Sequence, residues 1–236
     1  METQLSPAAR VADLALALPG AAAVFEHLGI DFCCGGGKSL ESACQAKGLE
    51  VQAVLGALEA GRTQPAPADA HWQSEPLPAL LDYIVQRHHG YVREAVPRLD
   101  AWLAKVIAAH GSRHPELLAI RHTFTAMAGE LAQHMAKEEL VLFPAIRQLG
   151  TASAGMSVAA PVERMIAEHE HAGRDLEEIR RASGDFIPPP DACATFRACY
   201  QGLEEFAADL RRHVHLENNI LFPRALGLER RASPDA

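Results

Sequence analysis

The amino-acid sequence predicts an all-α fold: a C-terminal four-helix bundle of up-down-up-down topology and a small N-terminal helical domain. Aromatic residues make up only 6% of the 236 residues, whereas the strong helix formers Ala, Leu, Glu and Arg dominate long stretches. In the C-terminal part, apolar residues recur with helical period over four long segments. In the N-terminal part the periodic segments are short and end at glycine or proline.

The small N-terminal domain is predicted to span residues 1–61. Its short helices are expected at about 10–18, 20–28, 39–48 and 50–60. Glycines and a Pro-Gly pair interrupt the helical pattern between these segments. A core of this size is marginal alone, so we expect the domain to pack on the second domain or on another subunit, which leaves a homodimer open.

A linker is predicted at residues 62–76, because the stretch "RTQPAPADAHWQSEP" contains three prolines and little apolar periodicity. The bundle is predicted at 77–229 and a C-terminal tail at 230–236. The four bundle helices are expected at about 77–109, 114–149, 161–183 and 191–226. The breaks between them are short, and short breaks place neighbouring helices antiparallel.

Charge and hydropathy exclude several classes of function. The formal net charge is −8, and no run of Lys or Arg offers the electrostatic footprint of a nucleic-acid-binding protein. No window approaches 18 consecutive apolar residues and no basic region precedes the alanine-rich start, so we expect no membrane span and no signal peptide.

The five cysteines are odd in number and spread without a framework, as expected for thiols that stay reduced. We therefore expect a cytoplasmic protein.

An internal repeat carries the strongest functional signal. Residues 134–144 read "HMAKEELVLFP" and residues 213–223 read "HVHLENNILFP", and both fit the pattern H-x-x-x-E-x-x-x-L-F-P. A histidine and a glutamate four residues apart project from one helix face. Apolar positions such as Val141 lie on the same seam, so these four side chains, His134, Glu138, His213 and Glu217, are predicted to point into the bundle.

The first and third bundle helices each carry one further inward histidine. His89 lies on the apolar seam of the first helix and His169 on that of the third. At 1.5 Å of rise per residue, antiparallel helices bring both histidines to the level of the two His-Glu pairs. His110 lies 21 residues beyond His89, about 31 Å along a continuous helix, so it is excluded from this level. It is expected to cap the helix or to lie on the surface.

Four imidazoles and two carboxylates at one level indicate a metal centre. Buried carboxylates are costly unless they are paired or bind metal, and no Lys or Arg shares these seams. The set suits two iron or manganese ions bridged by Glu138 and Glu217, with two histidines on each ion. Zinc would usually take four ligands, so iron is favoured. The alternative is that each histidine is an ordinary core residue with satisfied hydrogen bonds, which is more common for a single histidine than for six ligand-type residues together.

The stretch "DFCCGGGKSL" in the N-terminal domain holds two adjacent cysteines, Cys33 and Cys34. Adjacent cysteines fit none of the usual spacings of structural metal sites or redox motifs, and a disulfide between them would be strained. A helix is expected to start near Ser39, and its N-terminus would lower the pKa of a nearby thiol if it pointed that way. The pair is interpreted as a thiol site that serves the metal centre. A plain glycine-rich turn is the alternative.

Four stretches resemble a known family, the iron-sulfur cluster repair di-iron proteins, also called the repair of iron centres family. They are "DFCCGGGKSL", "HMAKEELVLFP", "MIAEHEHAG" and "HLENNILFPRAL", and the resemblance covers nearly the whole chain. It implies a hemerythrin-like bundle with an oxo-bridged non-haem centre of two iron ions. The ligands that it implies fall on His89, His134, Glu138, His169, His213 and Glu217. Gly37 departs from the commonest pattern as a third glycine after the cysteines.

The resemblance also implies a stress protein that repairs iron-sulfur clusters damaged by nitric oxide or oxidants, with damaged iron-sulfur proteins as partners. In this hypothesis the centre supplies iron, and Cys33 and Cys34 act as acceptor, reductant or docking thiols. A second hypothesis is an enzyme that reduces nitric oxide at the di-iron centre. A third is a carrier or sensor of oxygen or nitric oxide of the hemerythrin type. The ligands alone do not rank these three hypotheses.

Overall fold

The computed structural model describes residues 5–61, 70–149 and 157–232, and every regular element in these ranges is helical. The predicted all-α fold class is therefore confirmed. The α-helices are, in chain order, α1 (Val11–Ala17), α2 (Ala21–His27), α3 (Leu40–Lys47), α4 (Val51–Gly61), α5 (Leu77–Tyr83), α6 (Gly90–His110), α7 (Glu116–Lys137), α8 (Phe143–Gln148), α9 (Ala159–Ala182), α10 (Ala194–Leu216) and α11 (Phe222–Ala232). Among the described helices, none combines the length and the apolar run that crossing a bilayer requires.

The described residues fall into two compact units. The first comprises the described part of Met1–Leu80 together with Val214–Arg224, and the second comprises Leu81–His213 with the described part of Ala225–Ala236. The predicted linker 62–76 is described only from residue 70, where a 3₁₀ turn forms at Ala70–Gln73. Residues 62–69 of the predicted linker, residues 150–155 of the predicted second break and residues 233–236 of the predicted tail lie outside the described residues.

Four short helices, α1 to α4, build the N-terminal core of the first unit. Apolar side chains from each of them are fully buried, among them Leu14, Phe25, Leu40 and Leu58. Helix α3 begins where predicted, because the Ser39 hydroxyl accepts a hydrogen bond from the Ser42 N–H at 3.2 Å. The start of α3 is therefore set by local chemistry, and burial of the apolar faces holds the four helices together.

The glycine triplet forms a tight turn between α2 and α3. A Cβ atom on Gly36 would lie 2.6 Å from the carbonyl oxygen of Phe32 and 2.8 Å from the Cβ of Ala12. The Gly36 carbonyl also accepts a hydrogen bond from the Ala12 N–H at 2.9 Å. A Cβ atom on Gly37 would meet nothing closer than the Arg10 guanidinium at 3.9 Å. The turn therefore requires the second glycine for close packing and leaves room at the third.

We expect Gly36→Ala to lower the free energy of unfolding by about 1–3 kcal/mol, because backbone and helix α1 must shift to admit the methyl group. Gly37→Ala is the matched control and should change that free energy by no more than about 0.5 kcal/mol. Urea denaturation of the full chain measures both values. Equal effects of the two substitutions would contradict the packing that we describe for Gly36.

The second unit contains most of the bundle. Helix α7 packs against α6 and α9, the long helices that precede and follow it in the chain, as the short connections predict. Among the described residues, three turns within the long helices are π-helical rather than α-helical: Ile84–His89 between α5 and α6, Glu138–Leu142 between α7 and α8, and Glu217–Leu221 between α10 and α11. Each π turn contains one of the predicted metal ligands, and π turns inside α-helices are frequent at functional sites.

The repeated Leu-Phe-Pro sequence explains two of these turns. Pro144 and Pro223 have no N–H, so neither can donate the hydrogen bond that an α-helix requires four residues back. In both copies the N–H of the preceding phenylalanine donates to the carbonyl of the predicted glutamate ligand five residues earlier, Phe143 to Glu138 and Phe222 to Glu217. The helix thus widens by one residue per turn where each carboxylate is placed.

The widened turn also shifts the helix faces that follow it. Val141, predicted on the inward seam, is 47% exposed, and its neighbour Leu140 is 77% exposed. One extra residue in the turn rotates subsequent positions by about 100° relative to an α-helix. The prediction for Val141 is therefore wrong, since it assumed an uninterrupted α-helix.

Candidate metal centre

All six predicted ligands are buried. They are His89, His134, Glu138, His169, His213 and Glu217, and none is more than 3% exposed. His89 ends the first π turn, and the two glutamates begin the second and third. The other three histidines lie in α7, α9 and α10. Each of the four long helices therefore contributes one imidazole, and the second and fourth each add a carboxylate.

The structure brings the six side chains together in two overlapping groups. One group consists of His89, Glu138, His213 and Glu217, and the other of His134, Glu138, His169 and Glu217. Within each group the ligand atoms lie within 4.8 Å of one another. Both groups share the two carboxylates, while each has its own pair of imidazoles. This arrangement has the form of two adjacent cation sites with two common ligands.

The contacts of Glu138 show how one carboxylate belongs to both ligand groups. Its Oε2 atom lies 3.3 Å from Nε2 of His89, and its Oε1 atom lies 3.2 Å from Nε2 of His134. The two oxygens of one carboxylate thus face imidazoles of different groups. A carboxylate placed in this way is suited to bridging two ions.

The donor set fits a metal. His134 and His169 approach each other with their Nε2 atoms 3.0 Å apart. Two nitrogens each about 2.1 Å from one ion are separated by about 3.0 Å when they subtend about 90° at it. Fully buried carboxylates need a cation or strong hydrogen bonds to offset several kcal/mol of desolvation. Geometry and electrostatics therefore both favour metal binding by these residues.

Two further carboxylates hold the imidazoles from behind. Nδ1 of His89 lies 2.6 Å from Oε1 of Glu139, which also accepts a hydrogen bond from Arg93. Although partial burial alone would raise the pKa of Glu139, the hydrogen bonds from His89 and Arg93 bring that pKa below its ordinary value. The glutamate is therefore ionised, and it fixes the orientation of the imidazole with Nε2 toward Glu138.

The second carboxylate is Glu168, on α9. Its Oε2 atom lies 2.9 Å from Nδ1 of His134, and its Oε1 atom accepts a hydrogen bond from Lys137. Burial would raise the pKa of Glu168, but the hydrogen bonds from Lys137 and His134 lower it below the ordinary value. Each of the two groups thus has one imidazole supported by a carboxylate that is itself paired with a cation.

We expect Glu168→Gln to weaken metal binding by about 10- to 100-fold, because an amide holds His134 less firmly and makes its imidazole less basic. Glu139→Gln should act similarly through His89. Competition with a chelator of known affinity measures both changes. Glu170→Gln, a substitution at an exposed position on the same helix as Glu168, is the control and should leave the affinity unchanged.

Other histidines lie outside these groups. His88 is buried, its Nδ1 atom lies 3.0 Å from Asp209, and its ring stacks on that of His213 at 5.5 Å. His110 lies at the end of α6, as predicted, but it is buried against Phe196 rather than on the surface. His114 is half-buried, and its Nδ1 and Nε2 atoms lie 3.0 Å from carboxylate oxygens of Glu116 and Asp191, respectively.

The thiols of Cys33 and Cys34 lie in the glycine turn. Their sulfur atoms are 3.9 Å apart and form no disulfide. Cys33 is buried and Cys34 is half-buried. The pKa of Cys33 lies well above its ordinary value because of the hydrogen bond to Cys34, burial and the nearby Asp31 carboxylate. A lowered thiol pKa is expected from the sequence only if the N-terminus of the following helix points at the thiol. At Cys33 the pKa is raised instead.

The fold and the cluster define a class of protein: a metal-binding four-helix bundle with an additional small helical domain. Comparisons with known proteins identify the family. The model of the hemerythrin HHE cation binding domain matches residues 80–225, and that of a domain of unknown function, DUF542, matches residues 8–61. The chain therefore belongs to the family of proteins with a hemerythrin HHE cation binding domain.

Curated relatives cover nearly all of the chain. A protein named iron-sulfur cluster repair protein YtfE from Pectobacterium atrosepticum is 41% identical over 214 residues, which are 91% of this chain and 95% of the relative. Proteins of the same name from Yersinia pseudotuberculosis and Escherichia coli are 39% and 38% identical and cover 90% and 92% of this chain, or 94% and 96% of their own lengths. The similarity thus extends over both family domains, and the chain belongs to the same family as these iron-sulfur cluster repair proteins.

Proposed function

We propose that this chain repairs iron-sulfur clusters damaged by nitric oxide or oxidative stress by supplying iron from a centre of two iron ions. The overlapping ligand groups that share Glu138 and Glu217 support this most directly. Relatives named as iron-sulfur cluster repair proteins support the same assignment. We further propose that the recipients are damaged iron-sulfur proteins and that repair takes place in the cytoplasm.

The donor set favours iron over zinc. Each group offers two imidazole nitrogens and two shared carboxylates, a mixed nitrogen and oxygen set that suits iron or manganese. Zinc usually takes four ligands, so four donors would complete its coordination. Iron in such a site would still have free coordination positions. When bound, iron supplies Lewis-acid and redox chemistry and is itself the material that a damaged cluster needs.

The side chains of this protein have separate roles in that proposal. Glu138 and Glu217 would hold both ions, so a change at either carboxylate should affect both sites. Glu139 with Arg93 and Glu168 with Lys137 orient one imidazole of each group. We assign Cys33 and Cys34 to transfer of iron between the bundle and the recipient.

A reactivation assay tests this function. The iron-loaded full chain is added without oxygen to an iron-sulfur enzyme that nitric oxide has inactivated. We expect the enzyme to recover activity while the chain loses iron. The Cys33→Ala/Cys34→Ala double variant should bind iron normally but fail to reactivate the enzyme. Recovery no greater than with the same amount of free ferrous salt would overturn the proposal, and full recovery with the double variant would remove the thiols from it.

Reduction of nitric oxide is a second candidate function. It is favoured by the four donors per group, which leave positions where iron can bind a small ligand. Gas analysis after adding nitric oxide to the reduced protein separates the two functions. Nitrous oxide formed over several turnovers would support an enzyme, whereas stoichiometric binding without nitrous oxide would exclude turnover.

A further inference from the structure

The turn that holds Cys33 and Cys34 is organised by a carboxylate. Oδ1 of Asp31 accepts hydrogen bonds from the N–H groups of Cys33 at 3.0 Å and Cys34 at 2.9 Å, and Oδ2 accepts one from the N–H of Gly35 at 2.8 Å. The Cys33 thiol donates to the same Oδ1 atom at 3.2 Å. A hard oxygen donor and two soft sulfur donors therefore lie beside one another, with all three ligand atoms within 4.8 Å.

The separation of the two sulfur atoms has a specific chemical meaning. At 3.9 Å they are much farther apart than the roughly 2.0 Å of a disulfide bond. Two thiolates each about 2.3 Å from one ion would be 3.9 Å apart at a sulfur–metal–sulfur angle of about 116°, close to the tetrahedral angle. The pair is thus spaced as two ligands of a single tetrahedral ion.

Surrounding contacts fix the turn in place. The side-chain amide of Asn219 donates to the carbonyl of Phe32 at 3.1 Å, and that of Asn218 donates to the carbonyl of Cys33 at 3.4 Å. Phe32 also packs edge-on against His215 at 5.2 Å between ring centroids. Asn218 and Asn219 directly follow Glu217 in the chain. The thiol turn is therefore attached to the same helical segment that carries a predicted ligand of the bundle centre.

Exposure differs among the three donors in a way that suits transfer. Cys33 is buried, Cys34 is half-buried and Asp31 is exposed, so one side of the group faces outward. A structural zinc site would be closed by four protein ligands, whereas this group provides three. A fourth ligand would therefore come from water or from another molecule.

We propose that Asp31, Cys33 and Cys34 form a second metal site, which binds one divalent thiophilic or borderline cation separately from the bundle centre. Binding forms two metal–sulfur bonds and one metal–oxygen bond, and the two thiol protons pass to solvent. The identification of the physiological cation as Fe²⁺ in transit to a recipient rests on the proposed function. The binding of a cation does not rest on it.

The test uses the full chain with the bundle already filled with iron and Cd²⁺ as the probe. We expect one additional Cd²⁺ per chain by calorimetric titration, together with a thiolate-to-cadmium charge-transfer absorption. Cys33→Ser/Cys34→Ser should abolish the absorption and the additional binding. Cys34→Ala alone should weaken binding by at least about tenfold. Because Cys34 is the less buried of the two cysteines, this single variant still tests the site if the double variant does not fold. Iron content and far-ultraviolet circular dichroism establish that each variant is folded.

Cys193→Ser is the matched control, because Cys193 is an exposed thiol outside this group, and it should leave both signals unchanged. Failure of the wild-type chain to bind an additional Cd²⁺, or equal binding by the double serine variant, would overturn the second site. Neither result would affect repair by the bundle iron. Conversely, Cd²⁺ binding as expected with no reactivation of a damaged enzyme would overturn the proposed function while leaving the second site intact.

Discussion

Glu138→Gln is expected to remove both metal ions from the bundle, from two per chain to well below one. Glu138 belongs to both ligand groups, and its two oxygens face His89 and His134 at 3.3 and 3.2 Å. An amide cannot provide two anionic oxygens. Its NH₂ group would also point at an imidazole nitrogen that should instead be a ligand of the cation. The loss therefore extends to both sites, although only one side chain has changed.

Metal analysis after dialysis against a weak chelator measures this effect. Glu217→Gln should give the same result, since Glu217 is the other shared carboxylate. Glu139→Gln is the matched control next to Glu138: it should weaken binding but leave two ions bound when metal is abundant. Retention of one full equivalent by Glu138→Gln would show that the carboxylate serves a single ion, contrary to the bridging arrangement.

Removing the metal is expected to lower the free energy of unfolding by at least about 3 kcal/mol. The apo chain must keep two fully buried carboxylates, Glu138 and Glu217, without the cations that offset their desolvation. Metal that binds the folded chain and not the unfolded chain also stabilises it by mass action. Urea denaturation with and without a strong chelator measures the difference.

Glu138→Leu is expected to change the free energy of unfolding in opposite directions with and without metal. In the absence of metal, Glu138→Leu should be more stable than the wild-type apo chain by about 1–4 kcal/mol, because an apolar side chain replaces a buried charge. With metal present, it should be less stable than the wild-type chain, because the variant lacks one of the two carboxylates that both ligand groups share. A variant that is destabilised under both conditions would indicate that Glu138 has a structural role independent of metal.

Sequence patterns were sufficient to predict the helices and the six-residue cluster, because both depend on local periodicity. A four-residue spacing places His134 and Glu138 on one helix face whatever the rest of the fold does. The π turns were not predicted. The cause of two of them is visible in the two Leu-Phe-Pro sequences, but a proline in a helical pattern equally indicates a kink or a helix end. Val141 was placed on the wrong face for this reason.

Residues that act across helices were harder to predict. Glu168 supports His134 only because α9 packs against α7, and no spacing within α9 distinguishes it from its exposed neighbours. Asp31 stands at the start of the cysteine motif, four residues before the first glycine, Gly35, and an aspartate at the entry to such a turn is a recognisable signal for capping of the turn. Its proximity to both thiols nevertheless depends on how the turn folds.

The number of iron ions per chain tests the central claim most directly. The full chain, loaded with ferrous iron without oxygen and freed of excess metal, should contain two ions, and magnetic measurements should show exchange coupling between them through the shared carboxylates. A single isolated ion per chain would contradict a centre of two iron ions bridged by Glu138 and Glu217. An iron content that Glu217→Gln leaves unchanged would contradict it as well.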